Sequence, residues 1–168
     1  NDPEFEDLEA HSVITDLVLY YTRNIAPPIR ANANDADVLA GQKIFADIGC
    51  ASCHTPRYQL PKRADMAEQS GQVIWPFSDL LLHDMGDGLA DHRPEAQASG
   101  SEWRTPPLWG IGRAQEIDPR ARFLHDGRAS TILEAILWHG GEAAPARDAV
   151  TKLPPSQRSK LLTFLNSL

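Results

Sequence analysis

The five residues Cys50-Ala51-Ser52-Cys53-His54 constrain this chain more than any other stretch. They hold both cysteines of its 168 residues, and a histidine follows the second at once. C-x-x-C-H is the attachment signature of c-type haem. On one helical turn, positions i, i+3 and i+4 share a face, so Cys50, Cys53 and His54 can all point at one object. The two thiols would form thioethers to the haem vinyl groups, and the His54 imidazole would take an axial position on the iron. Two other readings are weaker. A thioredoxin-like dithiol belongs near a βαβ pattern, and none is evident. A structural zinc wants four ligands, and no second cysteine pair completes them. One covalent haem c per chain is therefore expected, with Cys50 and Cys53 on the macrocycle and His54 on the metal.

A chain that folds around a cofactor needs less apolar core of its own. Hydrophobic residues make up 42% and charged ones 23%, ordinary for a soluble globular protein. The length is that of one domain able to bury a core. Thirteen prolines and eleven glycines fall mostly between apolar segments, which predicts short helices joined by long ordered loops. The net charge of −7 argues against nucleic acid or an anionic membrane surface as partner. It permits docking to a basic redox partner protein, although solubility alone explains it. No run of about 20 apolar residues occurs, so no membrane span is expected. The opening Asn1-Asp2-Pro3-Glu4 is acidic and polar, unlike a signal peptide. Covalent haem attachment is made outside the cytoplasm in bacteria, so a mature or trimmed chain is expected, periplasmic or otherwise exported.

Along the chain, residues 7–26 predict an amphipathic helix, with Leu8, Val13, Ile14, Leu17, Val18, Tyr21 and Ile25 near helical spacing and Pro27-Pro28 beyond its end. His11 in this helix reads as a surface residue. A second helix is predicted over about 35–49, capped by Asn34 or Asp35. Val38, Gly41, Ile44, Phe45 and Ile48 make its apolar side, and Gly41 reads either as a place where another helix crosses or as a tolerated surface position somewhat costly to the helix. From Thr55 to Gly100, Pro56, Pro61, Gly71, Pro76, Gly86, Gly88 and Pro94 break up any helical period. Arg104 to Gly112 reads as a short helix or turn, with Trp103 and Trp109 as packing residues. Asp126-Gly127 signals a tight turn. Thr131-Ile-Leu-Glu134 matches a capping box opening a helix from Ile132 to about His139, stopped by Gly140-Gly141. A last helix starts near Pro155-Ser156, of the kind that packs on the helix before the motif in cytochrome c folds. No repeat and no strand is apparent. The expected fold is all-α and cytochrome c-like: a single domain over 1–168, with an N-terminal helix and linker (1–33) and a haem-binding core (34–168).

Four stretches together resemble a known family. They are Gly49-Cys-Ala-Ser-Cys-His54, Pro76-Phe-Ser-Asp-Leu-Leu-Leu-His-Asp-Met-Gly86, Trp103-Arg-Thr-Pro-Pro-Leu-Trp-Gly110, and Phe123-Leu-His-Asp-Gly-Arg128 with the following Glu134-Ala-Ile136 and His139-Gly-Gly-Glu142. The chain resembles the di-haem oxidoreductases, relatives of the bacterial di-haem cytochrome c peroxidases and of the methylamine-utilisation di-haem enzyme. The likeness is to their C-terminal haem domain. Family members carry a second haem domain N-terminal to it, where peroxide reacts, while the C-terminal haem resembles an electron relay. This sequence contains one C-x-x-C-H. The resemblance therefore implies the relay half of such an oxidoreductase, passing single electrons to a redox partner protein or to the missing N-terminal haem domain. The alternative is a peroxidase-like enzyme whose displaceable sixth ligand admits peroxide, with Glu142 or His83 as acid/base. A third reading makes the apolar side of helix 7–26 the docking face for the missing domain.

The sixth iron ligand decides among these. In the peroxidase relatives a methionine one helix after the His-Asp-Gly motif ligates iron, and counting from His125 the matching position here is His139. A bis-histidine haem is expected, at a lower potential than methionine ligation gives. Met85 and His83 are the alternatives, and an open iron is the third. His139 also reads simply as a polar helix terminus favoured by the dipole. His125 and Arg128 are candidates for holding the haem propionates, or else for fixing the turn at Gly127. Asp79 and Asp84 read as hydrogen-bond partners of an axial histidine, or as ligands of a calcium ion.

Overall fold

Two helices distant in sequence cross to make the centre of the molecule. The computed structural model describes residues 10–168; the beginning of the helix expected over 7–26, with Leu8, lies outside the described residues. Helix α1 spans Ser12–Arg23 and α2 spans Ala36–Asp47. Of the two proposed caps for α2, Asp35 is used: its carboxylate accepts from the backbone N–H of Asp37 at 2.8 Å and of Val38 at 3.2 Å. The last helix, α6 (Pro155–Ser167), has proline in its first turn, where the missing N–H costs nothing. It lies on α2 so closely that a Cβ on Gly41 would stand 2.0 Å from the Lys160 carbonyl oxygen. Any larger residue at position 41 would force the helices apart. Around the crossing, Phe164 packs on Phe45 and Phe77, with ring centroids 5.2 and 5.6 Å away.

The segment between the two helices overturns the all-α, cytochrome c-like expectation. Strand β1 (Tyr58–Gln59) pairs antiparallel with β2 (Val73–Ile74), and β3 (Leu82–Asp84) pairs antiparallel with β4 (Glu102–Arg104), His83 opposite Trp103. The fold is mixed, helical with two small antiparallel ladders. Prolines and glycines exclude helix from this segment, yet its backbone polar groups still need partners where they are covered, and short ladders supply them. Strands of two or three residues are too short to show alternation, so the sequence carried no sign of them.

The C-terminal half continues through α3 (Ala114–Ile117), α4 (Ile132–Trp138) and α5 (Ala144–Lys152). The stretch expected as a short helix or turn becomes a 3-10 turn at Ile111–Arg113 leading into α3. At α4 half of the expected capping box forms. Thr131 Oγ1 accepts from Glu134 N–H at 3.0 Å, but the Glu134 carboxylate turns to Ser130 N–H at 2.7 Å. Helix α5 was not anticipated. The buried cluster runs from Val38 to Leu168, whereas α1 buries no residue, and Val13, Leu17 and Tyr21 stay exposed. Among the described residues no helix is long and apolar enough to cross a membrane.

Candidate functional site

The cysteine motif folds as one tight turn. Cys50–Ser52 is a 3-10 segment, and His54 N–H donates to the Cys50 carbonyl at 3.0 Å. Both thiols are unpaired. Desolvation pushes the Cys50 thiol up to about 11 and raises that of Cys53 as well. Working redox dithiols have lowered thiol pKa values, so this pair is not tuned for thiol exchange.

The loop Phe77–Leu80 is bound along the motif. Ser78 N–H donates to Thr55 O at 2.9 Å and Asp79 N–H to Cys53 O at 2.8 Å. The His54 ring donates from Nδ1 to the Phe77 carbonyl at 2.9 Å. A carbonyl only accepts, so Nδ1 carries the proton and Nε2 keeps its lone pair. Phe77 is buried, with φ at 53°, and Leu80 has φ at 61°, a backbone region that bulky residues rarely occupy. Ser78 between them is fully buried; its hydroxyl donates to Thr105 O at 2.7 Å and accepts from Leu80 N–H at 2.9 Å. The strained loop is held on every side, which is how such conformations persist. Desolvation, against the Phe77 bond and with the nearby His139 adding to it, lowers the His54 imidazole to about 4. It is neutral at physiological pH, the form that binds a metal.

His139 follows directly on α4. Its Nδ1 donates to the Ala135 carbonyl at 2.8 Å, again leaving Nε2 free, and desolvation lowers its pKa. The next two residues lie flat against the end of β3. A Cβ on Gly141 would be 2.1 Å from Asp84 O, and one on Gly140 would be 2.7 Å from Met85 O. Only glycine fits so near a neighbouring backbone. Glu142 then grips β3 twice: Oε1 accepts from Asp84 N–H at 3.0 Å and Oε2 from His83 Nδ1 at 2.9 Å. On its other side, His83 Nε2 lies 2.8 Å from Asp79 Oδ2. Two carboxylates can only accept, so His83 is an imidazolium. Glu142 first and Asp79 second raise its pKa, and neither ring nitrogen has a lone pair for a metal.

Cys53 Sγ, Asp79 and His83 lie within 4.8 Å of one another, the one group of three metal-type ligands among the described residues; Asp84 is not in it. Asp79 also accepts from Leu81 N–H, and Asp84 from Gly86 N–H. Met85 is half-buried, and its N–H donates to Ser101 O at 2.9 Å.

His125 and Arg128 belong to a second group. The His125 ring stacks on Trp103 with centroids 3.5 Å apart, and Trp103 Nε1 donates to Leu89 O at 3.0 Å. Arg128 pairs with Asp126 at 2.6 Å, donates to the Gly88 carbonyl and lies over the Trp138 ring at 4.8 Å. Its Nε and Nη1 donors are thus spent on the protein, holding the turn at Gly127.

The structure brings His54, His139, His83, Asp79 and Glu142 around the cysteine turn. Sequence reasoning missed the Phe77 and Ala135 carbonyls, and the buried Ser78. Every residue has a carbonyl, so no residue type signals which one a histidine will use. Unpaired, protonated thiols and two neutral imidazoles, each offering Nε2, are a donor set that fits a haem c. The family model described as "Di-haem oxidoreductase, putative peroxidase" matches residues 2–168. No curated protein and no solved structure matches the chain.

Proposed function

Because the chain belongs to the di-haem oxidoreductase family, whose members use haem for redox chemistry, we propose that it is a one-electron relay domain. In this reading Cys50 and Cys53 hold one covalent haem c, and His54 and His139 are its axial ligands. One observation carries it: both imidazoles spend Nδ1 on a backbone carbonyl and keep Nε2 for a metal. That arrangement fixes tautomer and ring orientation before any ligand arrives. When bound, the haem supplies a one-electron couple, which two imidazoles set lower than a histidine–methionine pair would.

The remaining work belongs to the chain. Desolvation keeps both imidazoles neutral, so neither has to lose a proton to bind. The rigid Phe77–Leu80 loop keeps His54 from moving between redox states. His83, with both nitrogens on carboxylates, is not the sixth ligand in this reading. One attachment motif in a di-haem family supports a second haem on a partner domain or redox protein, and covalent haem attachment, made outside the cytoplasm in bacteria, supports an exported chain.

Electron paramagnetic resonance with near-infrared magnetic circular dichroism on the ferric holoprotein tests this, comparing wild type with His139→Ala. A bis-histidine low-spin signal that becomes high-spin in the variant is the expected result. A histidine–methionine signal would transfer the sixth position to Met85. A high-spin wild type would overturn the relay and favour an iron open to peroxide.

A further inference from the structure

We propose that Glu142, locked onto His83, is the positioning residue that keeps His139 on the haem iron, so that the chain Asp79–His83–Glu142 ties the two axial-ligand segments together. This rests on the bis-histidine reading above. The bond from His139 Nδ1 to Ala135 lies within one helical turn. It sets the ring's rotation, but not where the end of the seven-residue helix α4 stands relative to the cysteine turn. Something outside the helix has to set that distance.

Ile132 and Ala135 seat α4 itself on the core; beyond its last turn, few contacts place His139. Gly140 and Gly141 rest on the carbonyls of Met85 and Asp84, and Arg147 Nη1 donates to the His139 carbonyl at 3.0 Å. Glu142 makes the remaining link with both oxygens, one on the β3 backbone and one on His83. From His83 the path continues to the Asp79 carboxylate, and Asp79 N–H is bonded to the carbonyl of Cys53. The motif turn and the His139 turn are thereby joined through one backbone hydrogen bond and two charge-assisted ones at His83, the latter the stronger kind. None of these links passes through the aromatic core, and the Glu142 side chain is 56% exposed. The tie can be cut without a cavity being opened.

The test uses the haem-loaded protein. Ferric wild type, Glu142→Ala, Glu142→Gln and His139→Ala are compared by paramagnetic resonance and by the rate of azide binding, with far-UV circular dichroism to verify the fold. Partners that orient a metal ligand typically contribute about 10–100-fold in metal affinity. Glu142→Ala is therefore expected to show a new high-spin fraction and azide binding faster by about tenfold or more. Glu142→Gln should lie between it and wild type, and added imidazole should restore the low-spin signal. If the alanine variant does not fold, His83→Ala cuts the same tie from its other side and is held to the same outcomes. Variants with the wild-type low-spin signal and azide rate would overturn this inference while leaving His139 ligation intact. A wild type without a bis-histidine signal overturns the ligation reading, and this inference with it.

Discussion

The His54 ring takes its carbonyl partner from Phe77, 23 residues away in the middle of the core, whereas the His139 ring takes its partner from Ala135, four residues back on its own helix. The two imidazoles present the same free nitrogen, but they are supported differently. His54 is held by a loop whose strained backbone, buried serine and aromatic wedge belong to the buried interior. His139 is held by the end of a short helix, two glycines and a carboxylate clamp at the surface. Damage to the core should therefore appear as lost stability, and damage to the clamp as a looser sixth ligand.

The comparison can be broken most severely from the core side. Phe164 is fully buried and touches both Phe45 and Phe77, so Phe164→Ala should destabilise the protein by about 3–5 kcal/mol. Urea unfolding measures this, and the molecules that remain folded should keep the wild-type haem spectrum. Ser78→Ala strands the Thr105 carbonyl and the Leu80 N–H and should cost about 1–3 kcal/mol. Because that loop positions Phe77, a shift in the low-spin resonance should accompany it. If stability fell and the resonance stayed put, the loop would not be what orients His54.

The clamp side responds to pH. The raised pKa of His83, due to Glu142 and then Asp79, makes its contribution full below the ordinary histidine value; it is lost as pH climbs through the raised one. Glu142 is held below the usual carboxylate range by His83 and the Asp84 N–H. Asp79 is lowered despite desolvation, by Leu81 N–H and His83. Their contributions are present above the carboxylate range and are lost as pH falls through the lowered values. Asp84, the other charge facing Glu142, is itself held low by Gly86 N–H. The high-spin fraction of ferric protein should thus be smallest between weakly acid and neutral pH and grow on both sides. A flat profile across that span would remove the clamp from the account. The smallest effect lies on α1. Leu17 on α1 is 64% exposed, so Leu17→Ser should change the stability of this chain by no more than about 0.5 kcal/mol.

Helix α1 shows where sequence reasoning stops. Its apolar spacing predicted a helix, and Ser12–Arg23 is one, yet it buries nothing, because periodicity reports a face and not the partner that covers it. In α2 the same kind of pattern came with Gly41, which could be read as a crossing point and is one. The ladders were illegible for the opposite reason: three residues such as Leu82-His83-Asp84 pair through their backbones, and their side chains carry no period. At the candidate site, His83 looked as fit to bind iron as His139 did, and only the carboxylates 4 and 59 residues away on either side of it distinguish the two.

The sequence by itself determined what is local. It set the cysteine turn, the cap at Thr131, the proline start of α6 and, through four ordered stretches, the family, and it narrowed the α2 cap to Asn34 or Asp35. The tertiary structure alone decided which carbonyl each imidazole binds, that His83 is charged, and that Glu142 reaches back to β3. Local features follow from the allowed torsions of neighbouring residues, which composition biases directly. The others are hydrogen bonds between segments far apart in the chain, made by groups that many residues carry, and only the packed fold selects among them.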